Sequence, residues 1–293
     1  MLQLSNLIKR HTILFFKDKG RFYTALITPV ILIVLYMTFL GSIYKDALKE
    51  AVIAFSISNK MIEIFVNSYL FSSLLAVSCV TVSFCSNMIM VQDKAEHKTK
   101  DFLISGVSKT TLAISYFISA LIITMIINMS ALLICFLILL KSGWHIPISD
   151  IIYCMIDVFL LTLFGTSLSS IINFFLTTQG QISAVGTIVS AGYGFLCGAY
   201  MPISKFSPGV RNLLRFLPGT YGTALIRTHL LDSVFIKLKT KMPDQVITII
   251  RSQFDTSFKF MGHTVTLPIM YGVMIGACTL FIVVYVLLNK IKK

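Results

Sequence analysis

Apolar residues in this sequence are concentrated in six long runs separated by short polar stretches. A bilayer-spanning helix needs about 20 mostly apolar residues, and these runs are apolar on every face, unlike the alternating strands of a membrane β-barrel. The pattern predicts an all-α, polytopic membrane protein with six transmembrane helices. The runs cover residues 22–43, 66–91, 111–140, 151–176, 181–203 and 265–289.

The composition agrees with this prediction. Of the 293 residues, 56% are hydrophobic and 13% are charged, and the mean hydropathy of +0.86 lies far above that of soluble domains. Because the apolar runs occupy most of the chain, no room remains for a large soluble domain. We therefore expect one membrane domain covering residues 1–293.

Lysine and arginine positions predict the orientation. Twelve of them lie in the N-terminal segment, in the loop at 92–110 and in the C-terminal tail, against four in the short loops at the other ends of the spans. Positive residues near spans stay on the cytoplasmic side, so both termini are predicted in the cytoplasm, with the chain in the cell membrane. The net charge of +13 is scattered along membrane boundaries, which favours membrane lipids over nucleic acid as its partner.

The first 20 residues form an amphipathic pattern. Apolar side chains recur at helical spacing, with the basic residues largely on other faces. We expect an interface helix lying along the inner membrane surface; the alternative is a simple positively charged anchor. The predicted stripe consists of Leu4, Leu7, Ile8, His11 and Phe15.

The segment at 204–264 is predicted to be extracellular and helical. Residues 201–232 are semi-apolar, broken by prolines and interspersed with arginines. Short reentrant helices dipping into the outer leaflet, with the arginines at headgroup level, would satisfy both features. The more polar remainder, to residue 264, is expected to form a small helical lid.

One acid falls inside a predicted span. An ionisable group in the bilayer is costly and is a candidate for function, but Asp157 lies only about two turns from the outer edge of its span, where water can reach it. A substrate or proton role and a packing or interfacial role both stay open. The candidates for a substrate path or gate are Asp157, Pro202, Pro218, Tyr221 and Arg227.

No pattern of catalytic residues is recognisable in the sequence. The five histidines are far apart and have no metal-ligand spacing. The string SGVSKTT at 105–111 resembles a phosphate-binding loop only superficially, because it has one glycine and precedes a membrane span instead of following a β-strand. We expect no ATP site, no metal and no cofactor in this chain, and therefore no enzyme activity of its own.

Three strings carry a resemblance to a known family. RFYTALITPVILIVLY in the first span, CGAYMPISKF closing the fifth, and LRFLPGTYGTALIR after it resemble the ABC-2 type permeases, the membrane subunits of ATP-binding cassette exporters. The resemblance covers essentially the whole chain. In that family the loop after the second span carries charged residues, Gly-Thr, and a short leucine-rich helix closed by proline. Here His97 and Lys98 replace Gly-Thr, and Gly106 replaces the proline.

The resemblance implies that residues 92–110 form a coupling helix. Such a helix docks, together with the N-terminal helix, on a separate nucleotide-binding ATPase subunit, which holds ATP and Mg²⁺. Apolar residues of the loop would form the docking face, and its charges a polar rim. The coupling residues are Asp93, Glu96, Lys98, Lys100, Asp101, Phe102, Leu103 and Val107.

The resemblance also implies a function. The chain would pair with a second permease chain, as a homodimer or heterodimer, and export a hydrophobic or amphipathic compound such as a drug, an antibiotic, an antimicrobial peptide or a lipid-linked molecule. Two rival hypotheses stay open. One is a secondary transporter driven by an ion gradient, and the other is a membrane-anchored peptide sensor or immunity protein.

Overall fold

The fold was analysed in a computed structural model, which describes residues 2–53, 55, 57–144, 146–260 and 263–291. The predicted N-terminal helix, lid and basic tail also include residues 1, 261–262 and 292–293, which lie outside the described residues. The all-α prediction is confirmed. The only strands in the described part, β1 and β2, form one antiparallel pair. The helices are α1 Leu2–Lys17, α2 Lys19–Leu35, α3 Gly41–Ala51, α4 Asn59–Ala95, α5 Lys98–Ile104, α6 Lys109–Lys141, α7 Ile148–Phe175, α8 Gln179–Leu196, α9 Pro208–Leu214, α10 Pro218–Lys239, α11 Asp244–Gln253 and α12 Leu267–Ile291, with β1 Lys259–Phe260 and β2 His263–Thr264.

Five helical segments of the described chain are long and apolar enough to cross a membrane. They are Lys19–Ala51, α4, α6, α7 and α12; the first joins α2 and α3 through a π-helical turn at Tyr36–Leu40. The fifth predicted run, 181–203, instead forms the 18-residue helix α8. This helix stops early because Gly198 takes a left-handed conformation at φ +73°, which ends helices readily.

Helix α4 forms the centre of the bundle. It packs against α2, α6, α7, α8 and α10, and 89% of its most apolar stretch is buried. Polar side chains pair across these contacts: Ser78 donates to Asn128 Oδ1 at 2.7 Å, and Asn87 Nδ2 donates to Ser170 Oγ at 2.7 Å. Small residues and interhelical hydrogen bonds therefore hold the bundle together.

Helix α1 buries the predicted stripe. Leu7, His11 and Phe15 are buried, while Leu4 and Ile8 are half-buried. The stripe faces mainly α6 and α2, so it packs against protein where we expected it to rest on the membrane surface.

The segment before the last span is helical, as predicted, but Arg227 lies inside the protein and not at headgroup level. Helix α10 is 22 residues long and packs deeply between α4, α7 and α12. Its first residue is Pro218, which suits the first turn of a helix because no amide hydrogen is needed there. Arg227 is only 1% exposed. The semi-apolar sequence of α10 therefore reflects burial in protein.

Candidate functional site

The predicted coupling loop begins inside the protein, at Asp93 near the end of α4. Arg10 of α1 donates from Nη1 to Asp93 Oδ2 at 3.0 Å and from Nη2 to Oδ1 at 3.5 Å. The hydroxyl of Tyr116 on α6 donates to Oδ2 at 2.7 Å. The carboxylate is buried, so Asp93, one of the predicted coupling residues, joins three helices inside the protein.

His11 completes this buried cluster. Its ring stacks on Tyr116 with 4.3 Å between ring centroids, and its Nε2 lies 3.8 Å from Asp93 Oδ2. Burial, together with the neighbouring positive charge of Arg10, lowers the pKa of His11 to about 4. The imidazole is therefore neutral at neutral pH, and Arg10 supplies the positive charge that balances Asp93.

Helix α5 forms the middle of the coupling loop and lies between two residues in the left-handed conformation. His97 precedes it at φ +62° and Gly106 follows it at φ +86°. Phe102 and Val107 pack against a buried apolar cluster formed by α1, α2, α4 and α6, and Arg10 Cζ lies 4.9 Å from the Phe102 ring centroid. Phe102, one of the expected docking residues, therefore contacts this chain's own interface helix.

The outward surface of α5 consists of one apolar side chain among charges. Ile104 is 85% exposed, and the four predicted rim residues are exposed around it, while Leu103 is half-buried. Sequence reasoning did not single out Ile104, because its neighbours Phe102 and Leu103 are equally apolar and only the fold decides which of them faces outward. The exposed rim residues are Glu96, Lys98, Lys100 and Asp101.

Lys94 links this loop to the fourth predicted span. Its Nζ donates to the carbonyl oxygens of Phe174 at 2.8 Å and Asn173 at 3.0 Å. These carbonyls lie at the C-terminal end of α7, where helix carbonyls lack internal partners and a cation is favourable. The coupling loop therefore contacts the ends of two spans as well as α1.

A large apolar groove lies between the first span and α8. Its volume is about 1170 Å³, and side chains of α4 form its floor. Among the lining residues are Ile27, Ile31, Phe39, Met88 and Phe195. Polar groups are sparse along it, so it can accept an apolar surface.

The predicted gate residues do not gather at this groove. Pro202 lines it, whereas Pro218, Tyr221 and Arg227 belong to α10 and are not among its lining residues. Tyr221 is buried with its ring against Phe258, at 5.4 Å between centroids. Most of the set therefore lies in the packed part of the bundle.

Asp157 is buried and has partners, instead of lying within reach of water. Its Oδ2 is 2.6 Å from His229 Nδ1, and the Tyr271 hydroxyl donates to its Oδ1 at 2.7 Å. These contacts join α7, α10 and α12. The sequence carries no local signal for them, because the partners are 72 and 114 positions away.

The family was tested by comparison with known proteins. The model of the ABC-2 type transporter family matches residues 2–231. Because this match covers most of the chain, the protein belongs to the ABC-2 type transporter family and is a multi-pass membrane permease component without an ATP site of its own. Such permeases work with an ATPase partner subunit. A search of curated proteins finds no match to the chain.

Proposed function

We propose that this permease is the membrane subunit of an exporter. It moves a hydrophobic or amphipathic compound, such as a drug, an antibiotic, a peptide or a lipid-linked molecule, out of the cytoplasm. A separate nucleotide-binding subunit holds ATP and Mg²⁺ and supplies the energy. Both termini lie in the cytoplasm, which requires α8 to cross the membrane as a sixth span beside the five long apolar segments. The observation that carries the proposal is the apolar groove beside α4.

The groove has the size and polarity that such a substrate needs. Its volume of about 1170 Å³ slightly exceeds the range of about 300–1,000 Å³ for small-molecule pockets. Only 18% of the most apolar stretch of the first span is buried, which leaves a long apolar face along the groove. A second permease chain on this face, identical or not, would close the groove into a pathway.

A continuous helix leads from the groove to the coupling loop. Helix α4 runs from Asn59 to Ala95, contributes Cys85 and Met88 to the groove, and carries Asp93 near its end. Because Asp93 also holds α1 through Arg10, force applied to α5 would reach α1 and α4 together. This connection supports ATP-driven movement of the groove walls.

The experiment compares two isoleucines at opposite ends of the bundle. Ile104 and Ile53 are both 85% exposed, but Ile53 lies in the loop between the first two spans. The Ile104→Asp variant should weaken association with the ATPase subunit about tenfold, as for a moderate interface hot spot, and reduce stimulated ATP hydrolysis. The Ile53→Asp variant should leave both unchanged.

The measurement is co-purification of the epitope-tagged permease with its ATPase, followed by ATP hydrolysis in lipid nanodiscs. Phe102→Asp is less informative, because Phe102 packs against α1 and its loss would also disturb the fold. Unchanged association in Ile104→Asp, or an equal loss in both isoleucine variants, would refute coupling through α5.

The buried acid–histidine pair keeps the ion-driven transporter as a second candidate. Buried ionisable groups in membranes often mark proton or ion pathways, and Asp157 contacts His229 at 2.6 Å. Export that stops in Asp157→Asn while ATPase association and stimulation persist would favour this candidate. Export that continues in the Asp157→Asn variant would exclude the ion-driven transporter and support the ATP-driven exporter.

A further inference from the structure

A second pocket lies at the end of the bundle opposite α5. It has a volume of about 710 Å³ and is enclosed by the starts of α7 and α12, by α10 and α11, and by the chain around the β1–β2 hairpin. We name it the outer pocket. It is separate from the apolar groove, with which it shares no lining residue. Its polar wall includes Asp150, Tyr153, His229, Asp232, Arg251 and Tyr271.

The wall of the outer pocket is negative, although the chain is strongly positive. Asp150 and Asp232 line it, and the carboxylate of Asp157 lies directly behind His229. Among the described residues of the wall, Arg251 carries the guanidinium; it donates from Nη2 to Asp232 Oδ1 at 3.0 Å and lies over the Phe235 ring at 4.3 Å. Arg251 is therefore engaged by the wall itself.

His229 lines the pocket and leaves its second ring nitrogen without a described hydrogen bond. Nδ1 is occupied by Asp157, the side chain is only 10% exposed, and no described hydrogen bond uses Nε2. A carboxylate on Nδ1 fixes the neutral tautomer with Nε2 as acceptor. If His229 instead carried a proton, three carboxylates would still face two cationic groups. In either state the pocket attracts positive charge.

Aromatic rings complete a site for an organic cation. Tyr153 stacks on His229 with 5.0 Å between ring centroids, and the Tyr271 centroid lies 6.4 Å from that of His229. Rings of this kind attract cations through their faces. Apolar side chains from the start of α12, such as Leu267 and Met270, also line the pocket.

A metal ion fits this pocket poorly. Among the residues that the structure describes, no three histidine, cysteine or acidic side chains lie close enough together to hold one. The combination of carboxylates, tyrosine rings and an apolar edge instead matches a molecule with a charged end and an apolar end. We propose that the outer pocket binds an organic ammonium ion that carries an apolar group.

Three small probes with one scaffold test the charge preference. Phenethylamine, 2-phenylethanol and phenylacetate share the phenyl group and differ in carrying a cation, a neutral hydroxyl or an anion. Each is titrated by calorimetry into the full-length permease in nanodiscs of phosphatidylcholine, without ATPase. Phenethylamine should bind at least roughly fivefold more tightly than the other two, which is the gain in affinity expected from one partly exposed ion pair.

Two matched variants place the site. Asp150→Asn should weaken phenethylamine binding roughly fivefold and leave 2-phenylethanol unaffected, which separates lost charge from lost folding. Asp244→Asn makes the same charge change at the start of α11, outside the pocket lining, and should change nothing.

The proposal is overturned if phenylacetate binds as tightly as phenethylamine, or if Asp150→Asn has no effect. It is also overturned if the two variants weaken phenethylamine equally, because this would indicate diffuse attraction to the surface. The inference goes beyond the proposed export function, and binding is measured on the permease alone. Its failure would therefore leave the test of coupling through Ile104 untouched.

Discussion

The guanidinium of Arg227 holds together parts of the chain that are far apart in sequence. Nη1 donates to the Phe254 carbonyl oxygen at 3.1 Å, and Nη2 donates to Ser73 Oγ and to the Gly198 carbonyl oxygen, each at 3.1 Å. The group also lies over the Tyr69 ring at 4.4 Å. We therefore predict that Arg227 stabilises the fold instead of acting as a gate.

The magnitude follows from these contacts. Arg227→Met keeps much of the side-chain length but removes three charge-assisted hydrogen bonds, each contributing about 1.5–3 kcal/mol. It also removes the cost of burying a cation, so we expect a net loss of about 3–5 kcal/mol, as when a buried ion pair is broken. Asp255, whose Oδ2 lies 4.0 Å from Nη1, loses its nearest countercharge. Burial already raises the pKa of Asp255, and Arg227 opposes that shift.

Thermal unfolding of the permease in nanodiscs measures the effect. Arg227→Met should lower Tm by roughly 10 °C, and Arg227→Lys by less, because an ammonium keeps the charge but cannot reproduce the forked geometry. Arg211→Met serves as the control, since the half-buried Arg211 donates a single bond, to the Phe206 carbonyl oxygen at 3.0 Å. A Tm within about 2 °C of wild type for Arg227→Met, combined with lost transport, would refute this reasoning and restore the gate role.

Three further predictions concern backbone strain, close packing and pH. His97→Gly should keep or raise Tm, because His97 sits at φ +62°, whereas His97→Val should cost about 1–2 kcal/mol. Gly165→Ala should lower the free energy of unfolding by about 1–3 kcal/mol, because the added methyl would lie 2.8 Å from the Cys79 carbonyl oxygen. Gly276→Ala, whose added methyl would have no atom within 4 Å, should leave it unchanged. Acidification from pH 6.5 to pH 4 should lower the free energy of unfolding by about 3 kcal/mol through His11. The unfolded chain binds a proton on this imidazole below pH 6.5, whereas the folded chain binds it only near its pKa of about 4. The His11→Phe variant should lack this part of the acid destabilisation.

Each of these predictions has a contradicting outcome in the same unfolding assay. Equal losses in the two His97 variants would mean that the left-handed conformation is not the source of the difference. Equal Tm changes for the two glycine variants would argue against close contact between α4 and α7. An unchanged acid slope in His11→Phe would mean that other groups carry the pH dependence.

The features predicted well from the sequence are those that depend only on the residues of a short stretch of chain. A membrane span is an apolar run, and an amphipathic helix is a 3.6-residue period, so both appear in any window of the chain. For this reason the helical spacing of Leu7, His11 and Phe15 was visible in the sequence, whereas their burial against protein was not. The length of α8 was missed because hydropathy alone does not register the left-handed turn at Gly198.

The features that were missed depend on which distant residues meet. Arg10 and Asp93 are 83 positions apart, and Asp157 and His229 are 72 apart. Nothing in the neighbourhood of one partner specifies the other, because the pairing is decided by how the helices pack around α4. Asp157 was therefore expected near water, and Arg227 near headgroups, although both are buried.

The coupling loop contains both kinds of feature, those set by local sequence and those set by distant contacts, within a few residues. Its charges look equivalent in the sequence, yet the fold divides them by depth: Asp93 is enclosed by α1 and α6, Lys94 caps the end of α7, and Lys100 and Asp101 face outward. The first two stabilise the position of α5, and the outer ones are free of that role. A partner docking on the loop would therefore meet Ile104 and the outer charges, while the inner ones transmit its movement into the bundle.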